Sequence, residues 1–386
     1  MSTDRSGNTD LRTLYGAMTI TLVLGTVHAF SVLLTPIELR FGVGRSQASL
    51  VYSFALTALT VGVLLGSRVY SRWTPATFAT IVLLLGAAGL GVSAFASSLV
   101  TVWLGYSVIF GLTNGLGYGF ALHIATKAYP DRRGSVIGLV TATYALGAAV
   151  SPYPLMIALE NWGWSGSLCS LALIVAGVIP LVWWCLRRIP ITYEVENRRE
   201  YIRTISGVQA LIWLWVGYGS AVFAGLMIIG HATAIASYAS VPAKWVVFAP
   251  IVLALANMFG GVIGGRLSDT KIGLQLLVAL PLISALTTFS IALAPGVAAI
   301  IMGLIITGLT YGALIAVYPA MISRIYGVTK GVRIYGIVFT AWGITGLVAP
   351  WTAGWLYDRT QDYTLGLIIA GCLSLMSAIS GQKSKP

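Results

Sequence analysis

The chain has 386 residues, of which 57% are hydrophobic and only 9% charged, with a net charge of +12 and a mean hydropathy of +0.88. So apolar a composition excludes an ordinary soluble domain. The three cysteines, Cys169, Cys185 and Cys372, lack CxxC or metal-ligand spacing, so neither a disulfide framework nor a metal centre is expected.

Long stretches carry no Lys, Arg, Asp or Glu: 13–37, 46–67, 73–126, 134–159, 161–186, 204–243, 245–265, 272–323, 334–357 and 363–382. A hydrocarbon core about 30 Å thick takes about 20 helical residues to cross. In chain order the pattern predicts spans at 15–37, 48–67, 76–96, 101–125, 135–157, 165–186, 208–236, 245–265, 272–293, 297–322, 334–357 and 364–381. The first is too long for a cleavable signal and is read as a retained helix.

Placing both termini in the cytoplasm puts 19 of the 23 Lys and Arg residues on that side. Only Arg40, Arg45, Lys244 and Arg359 fall in outer loops. This asymmetry is the positive-inside pattern. The basic charge therefore reports topology in a lipid bilayer and does not point to nucleic acid. All tryptophans but Trp342 lie near span ends, as an interfacial belt requires.

The sequence repeats itself. Gly111-Leu112-Thr113 in span 4 recurs as Gly308-Leu309-Thr310 in span 10, an offset of 308 − 111 = 197. Arg133-Gly134 answers Lys330-Gly331 at the same offset. Gly66, Arg68 and Ser71 answer Gly264, Arg266 and Asp269, and Ser151-Pro152 answers Ala349-Pro350, at 198. The expected fold is an all-α membrane protein of twelve transmembrane helices in two pseudo-symmetric six-helix bundles. Residues 1–186 and 207–386 form the bundles and 187–206 a charged cytoplasmic linker. Such duplicated halves are common in secondary transporters.

The segment Gly264-Gly-Arg-Leu-Ser-Asp-Thr-Lys-Ile-Gly273 resembles the loop motif of the major facilitator superfamily. The runs Tyr129–Gly134, Gly225–His231 and Tyr335–Gly343 are similar to those of its oxalate:formate antiporter and bacterial monocarboxylate transporter branch. The resemblance implies the major facilitator fold, a central cavity, alternating access and small organic anions as solutes. It also implies a cytoplasmic gate at Arg266 and Asp269, to which Arg132 and Arg133, between spans 4 and 5, are assigned as well. Ser71 replaces the aspartate in the first copy of the motif, which implies a weaker gate there.

Two positions depart from that branch. Where it commonly has an arginine four residues after an asparagine in span 8, Gly261 follows Asn257. Where oxalate-type members have a lysine three residues after an aromatic in span 11, Trp342 follows Phe339. A dianion such as oxalate would lack a counter-charge there, and burying an unpaired charge is costly.

Polar side chains inside the spans are few. His28 and His231 lie in spans 1 and 7, the equivalent first helices of the two halves. They are expected to meet solute and to carry any coupled proton, because no span contains Asp or Glu and histidine titrates near neutral pH. The plainer alternative is packing, with each imidazole bonded to a backbone carbonyl. His123, one turn from Lys127, is read as structural. Asn114 and Tyr118 share one face of span 4. With Tyr144, Asn257, Tyr311 and Trp342 they complete the expected solute-binding set, since a buried amide, phenol or indole in hydrocarbon wants a partner.

No embedded carboxylate pair, metal spacing or nucleophile elbow marks an enzyme, and no cofactor is expected. The reading is a monomeric secondary transporter of the bacterial inner membrane for a small organic acid, with histidine as the route for any coupled proton. A neutral or zwitterionic metabolite is the alternative. A non-transporting membrane sensor on the same fold is the remote one.

Overall fold

The structure is a computed structural model that describes residues 3–70, 72–189, 208–326 and 328–383. Most of the linker expected at 187–206 therefore lies outside the described residues. Those residues are helical, with no strand among them.

The helices run in order α1 Thr3–Leu24, α2 Ser31–Phe41, α3 Arg45–Tyr70, α4 Pro75–Ala94, α5 Leu99–Val102, α6 Gly111–Ala128, α7 Arg133–Val150, α8 Pro152–Gly177 and α9 Ile179–Leu186. There follow α10 Val208–Tyr238, α11 Ala243–Val246, α12 Phe248–Ser268, α13 Gly273–Leu293, α14 Val297–Tyr326, α15 Val328–Thr360 and α16 Thr364–Lys383. Local chemistry sets several ends. Thr74 caps α4, its hydroxyl oxygen accepting from the Thr77 amide at 3.2 Å, with Pro75 in the first helical position. Gly42 closes α2 in the left-handed conformation, which an amino acid with a Cβ adopts at a cost.

Ten helical stretches among the described residues are long and apolar enough to cross a membrane. The bent pair Asp10–Ala29 and Ser31–Phe41, which meet at 51°, makes an eleventh. The stretch Gly134–Leu186 is 53 residues long. At 1.5 Å per residue this is far more than one bilayer thickness. Gly163 breaks it with φ 64° and ψ −167°, so it holds two spans and the count reaches the expected twelve. Span 1 is less regular than its sequence suggests: α1 gives way to a 3-10 turn, Gly25–Ala29, before α2. Span 4 likewise contains a π-type segment, Trp103–Phe110.

The chain forms two compact units. One comprises Met1–Val27 with Phe54–Arg198, the other His28–Ser53 with Arg199–Pro386. The expected six-plus-six boundary is thus crossed by residues 28–53, which cluster with the second-half helices. In the first unit α1 packs on α6 and α7, and α4 on α8; in the second, α12 packs on α14, α13 on α16, and α10 on α15, α16 and α2.

The sequence repeat reappears as a repeated helix crossing. In the first unit a Cβ on Gly115 would collide with the Leu59 carbonyl, and one on Gly62 with the Leu112 carbonyl. In the second, Gly312 would collide with the Asn257 carbonyl and Gly260 with that of Leu309. The offsets are 312 − 115 = 197 and 260 − 62 = 198, those of the sequence motifs. Lipid tails are as apolar as leucine, so helices in a bilayer associate through close packing, and small residues permit it. Glycine is required at these crossings because backbone meets backbone.

Gly115→Leu and Gly312→Leu should therefore each destabilise the protein by about 1–3 kcal/mol through overpacking. Gly138→Leu should not, because nothing lies within 4 Å of a Cβ there. Thermal unfolding of the detergent-solubilised variants checks this; equal midpoints for Gly138→Leu and Gly312→Leu would contradict it.

Candidate functional site

In the first unit the site is built around the break in span 1. Where α1 ends, its i→i+4 ladder gives way to 3-10 bonding, and in hydrocarbon no water adds a further donor to the carbonyls there. Side chains from span 4 do so. The Asn114 amide Nδ2 donates to the Leu24 carbonyl at 2.6 Å, and the Tyr106 hydroxyl donates to the Val27 carbonyl at 3.2 Å. Asn114 is fully buried. Its Oδ1 accepts from the Tyr144 hydroxyl at 2.8 Å, so both ends of the amide are used. Tyr144 and Tyr118 are in ring contact, with centroids 4.9 Å apart, and the Tyr118 hydroxyl lies 3.3 Å from Thr141 Oγ1. Three expected residues, Asn114, Tyr118 and Tyr144, thus form one connected group on α6 and α7.

In the second unit Tyr311 and Trp342 are joined. The Trp342 indole Nε1 donates to the Tyr311 hydroxyl at 3.0 Å, and both side chains are buried. The Tyr311 ring lies against α10 at Gly225, where a Cβ would overlap it. Phe339 stacks on Trp342 with centroids 5.3 Å apart and planes 6° from parallel. Tyr335 continues the row onto Phe339, and its hydroxyl lies 3.3 Å from that of Tyr218. Sequence reading missed Tyr218 and Tyr335. The 335, 339, 342 spacing, which places three aromatics on one helix face, was the available signal. Asn257 is half-buried on α12, where its backbone and side-chain carbonyls face Gly312 of α14.

The two histidines differ in setting. His28 sits in the 3-10 turn, half-buried, with Nδ1 2.5 Å from the Tyr52 hydroxyl. His231 is fully buried, with Nε2 2.9 Å from the Pro350 carbonyl and Nδ1 3.0 Å from the Tyr363 hydroxyl. A carbonyl only accepts, so Nε2 carries the hydrogen, and Nδ1 accepts from Tyr363. Burial raises the Tyr363 pKa above its ordinary value, against the lowering effect of the nearby Arg45 guanidinium, and keeps the phenol protonated to donate. The structure thus gives His231 the carbonyl-bonded setting that was the alternative for these histidines. His123 packs 5.9 Å from the Tyr70 ring.

Tyr363 leads to a charged cluster that the sequence did not disclose. The Arg45 guanidinium donates to both Glu38 carboxylate oxygens at 2.6 and 3.0 Å, and to the Tyr363 hydroxyl at 3.1 Å. No local pattern predicts a partner for Arg45 more than 300 residues away.

Of the expected gate residues, Asp269 closes α12 through its amide, bonded to the Arg266 carbonyl, and both side chains are exposed. Asp269 lines a cavity of about 210 Å³ with Ser268, Ala320, Met321 and Arg324. The Arg324 guanidinium donates to the Thr270 carbonyl at 3.1 Å. Arg132 is exposed at the end of the 3-10 turn Pro130–Arg132. Arg133 begins α7, and its side chain lies outside the described residues. Among the described residues no cluster of His, Cys, Asp and Glu has metal-binding geometry.

Comparison with known proteins agrees with this architecture. A family model described as Major Facilitator Superfamily matches residues 15–305. The chain is 23% identical over 351 residues to the uncharacterized MFS-type transporter YhjX of Escherichia coli K12, covering 86% of this chain and 84% of that one. It is 21% identical over 410 residues to monocarboxylate transporter 12 of Rattus norvegicus, covering 94% and 83%. To the oxalate:formate antiporter of Oxalobacter formigenes it is 27% identical over 247 residues, covering 59% and 56%. Among solved structures, a bacterial homologue of the human lysosomal transporter Spinster superposes with a TM-score of 0.73 at 16% identity, covering 97% and 95%. That likeness establishes the fold.

Because Asn114 satisfies a carbonyl at the helix break and orients Tyr144, Asn114→Ala should cost about 1–2 kcal/mol. Tyr144→Phe, which removes only one hydroxyl, should cost less. Thermal unfolding in detergent measures both, and an unchanged midpoint for Asn114→Ala would contradict the pairing.

Proposed function

The chain belongs to the Major Facilitator Superfamily, and on that premise we propose that it carries a small monocarboxylate together with a proton across the bacterial plasma membrane by alternating access, both termini facing the cytoplasm. One observation carries the reading: the expected solute residues in both units are neutral hydrogen-bonding groups. Asn114, Tyr118 and Tyr144 are linked in one unit, and Tyr311 and Trp342 in the other. Gly261 and Trp342 stand where oxalate-type relatives are expected to have cations. A bare carboxylate among neutral groups is poorly compensated. A carboxylate accompanied by a proton, on the acid itself or on an imidazole, is not.

Within this scheme His28 is the favoured proton carrier. It stands in the break of span 1, half-buried and beside Tyr52. Broken helices near the midplane are where transporters of several folds hold solutes and coupling ions. His231 has a lesser part in proton movement, since protonating Nδ1 would displace the Tyr363 hydroxyl. Asn257 contributes a further amide in the second unit. Arg266, Asp269, Arg132 and Arg133 belong to the cytoplasmic gate and leave equilibrium solute affinity unchanged. The substrate named for one relative, a monocarboxylate transporter, supports the solute class.

A neutral or zwitterionic solute is the second reading. The same replacement of cationic positions by Gly261 and Trp342 favours it.

Uptake of labelled lactate, pyruvate, formate, oxalate and alanine into proteoliposomes, with and without a pH gradient, separates the readings. A protonated imidazole supplies a positive charge only below its pKa, so monocarboxylate binding should strengthen as pH falls and weaken as it rises. His28→Gln keeps a hydrogen-bonding group but removes the switchable charge. It should abolish most of the pH dependence of binding while the protein stays folded. A profile unchanged in His28→Gln would overturn the role of His28. Transport of alanine alone, flat with pH, would replace the first reading by the second.

A further inference from the structure

We propose that the corner where the start of α1 meets the end of α9 binds the headgroup of an anionic phospholipid, with Arg12, Arg187 and Arg188 holding its phosphates. The orientation proposed above places this corner in the cytoplasmic leaflet. A lipid with two phosphates, of the cardiolipin type, suits three guanidinium groups best.

Close packing sets the corner. Arg12 of α1 is half-buried, and its central guanidinium carbon lies 4.4 Å from the centroid of the Trp184 ring on α9. The electron-rich ring face attracts the cation and holds it in place. One turn further along α1, a Cβ on Gly16 would lie 2.8 Å from Leu186 Cδ2 and 3.1 Å from Cys185 Cβ, so a larger residue there would force the helices apart. The apolar stretch ends at Leu186, and Arg187 and Arg188 follow it directly, both exposed. Their level is that of the lipid headgroups, and the planar fork of a guanidinium meets two phosphate oxygens at once.

Carboxylates do not claim these arginines. Among the described residues the one ion pair joins Arg45 to Glu38. Asp10 of α1 acts electrostatically on Tyr129, at the end of α6. The linker beyond Arg188 adds Arg198, Arg199 and Arg203 against Glu194, Glu196 and Glu200, so the positive charge stands. An apolar track leads up to that charge. Leu173, Gly177, Leu181, Trp184 and Arg188 follow at intervals of four, four, three and four residues, and all five are exposed. Nothing lies within 4 Å of a Cβ at Gly177, which leaves a notch along the track. An acyl chain can lie there beneath its headgroup. Free phosphate has no use for the track, and this commits the site to a lipid.

The second unit repeats the stacked pair. Lys383 of α16 has its Nζ 4.3 Å from the Trp213 ring centroid on α10, and a Cβ on Gly217 would lie 3.1 Å from Ser380 Cβ. The offsets are 213 − 12 = 201, 217 − 16 = 201 and 383 − 184 = 199, close to those of the sequence repeat. Cation and ring have exchanged helices, yet each unit keeps one stacked pair where its first and last spans meet, one turn from a glycine. Among the described residues the first corner adds Arg187 and Arg188, and with them the charge to hold two phosphates. Basic pockets between helices on the cytoplasmic side are where such headgroups bind.

Native mass spectrometry of the full chain in detergent, titrated with cardiolipin, phosphatidylglycerol and phosphatidylethanolamine, measures the binding. It reads lipid alone, so its failure is distinct from failure of the transport reading. Cardiolipin should bind the parent most tightly and phosphatidylethanolamine, whose headgroup has no net charge, least. Each arginine near an anionic surface contributes about fivefold in affinity, so Arg187→Gln with Arg188→Gln should weaken cardiolipin binding about twentyfold. Arg187→Lys with Arg188→Lys keeps the charge and should recover most of that loss. Arg40→Gln with Arg359→Gln is the control. It removes two charges from the outer side of the proposed topology, including Arg359 stacked 3.8 Å from the Trp355 ring, and should leave the affinity as it was. Unchanged cardiolipin binding in the Arg187 and Arg188 glutamine pair, or an equal loss in the control pair, would overturn the site. Equal affinity of the parent for all three lipids would also overturn it, and that comparison needs no variant to fold.

Discussion

A helix broken inside a membrane leaves carbonyl groups that water cannot reach, and much of this structure answers that constraint. Span 1 breaks at Gly25–Ala29, and the carbonyls of Leu24 and Val27 are met by Asn114 and Tyr106 of span 4. Water is not available there to add a donor to those carbonyls, and the side chains at 106 and 114 supply one to each. Once Asn114 is committed through its amide nitrogen, its oxygen is left to fix Tyr144, and Tyr144 packs Tyr118. The same break carries His28. A structural need thus assembles most of the polar group in the first unit.

The second unit meets its need differently. There α10, the counterpart of span 1 in the repeat, is continuous over Val208–Tyr238, and the polar groups are paired in two places. Near the middle of α15, Trp342 and Tyr311 satisfy each other within an aromatic row. Toward the end of α10, His231 and Tyr363 join the charged pair of Arg45 and Glu38, and Asp358 accepts from the Arg45 and Ser46 amides. The repeat therefore preserves the glycine crossings, which packing demands, and lets the polar chemistry diverge between the halves.

Much of this architecture is legible in the sequence because the bilayer imposes it locally. Charge-free stretches mark the spans, and the 197–198 offset announces the glycine crossings before any coordinate is known. Asn114 and Tyr118 are recognisable as a pair because helical spacing puts them on one face. The break at residues 25–29 is not legible, since Gly-Thr-Val-His-Ala carries no proline to stop the helix and the side chains that meet the break lie some 80–90 residues away. Nor is the pairing of Asp358 with the start of α3: Arg45 and Asp358 read as two loop charges, and only folding brings them together. For His231 the sequence shows the residue type but not its partners, the Pro350 carbonyl and the Tyr363 hydroxyl.

If the solute moves with one proton among neutral groups, each transport cycle carries no net charge. The most direct measurement is uptake of labelled lactate into proteoliposomes in which potassium and valinomycin set the membrane potential independently of the pH gradient. An inward proton gradient should drive accumulation at zero potential, and a potential of either sign without a proton gradient should drive none. Accumulation that follows the potential, with no response to the pH gradient, would contradict the account.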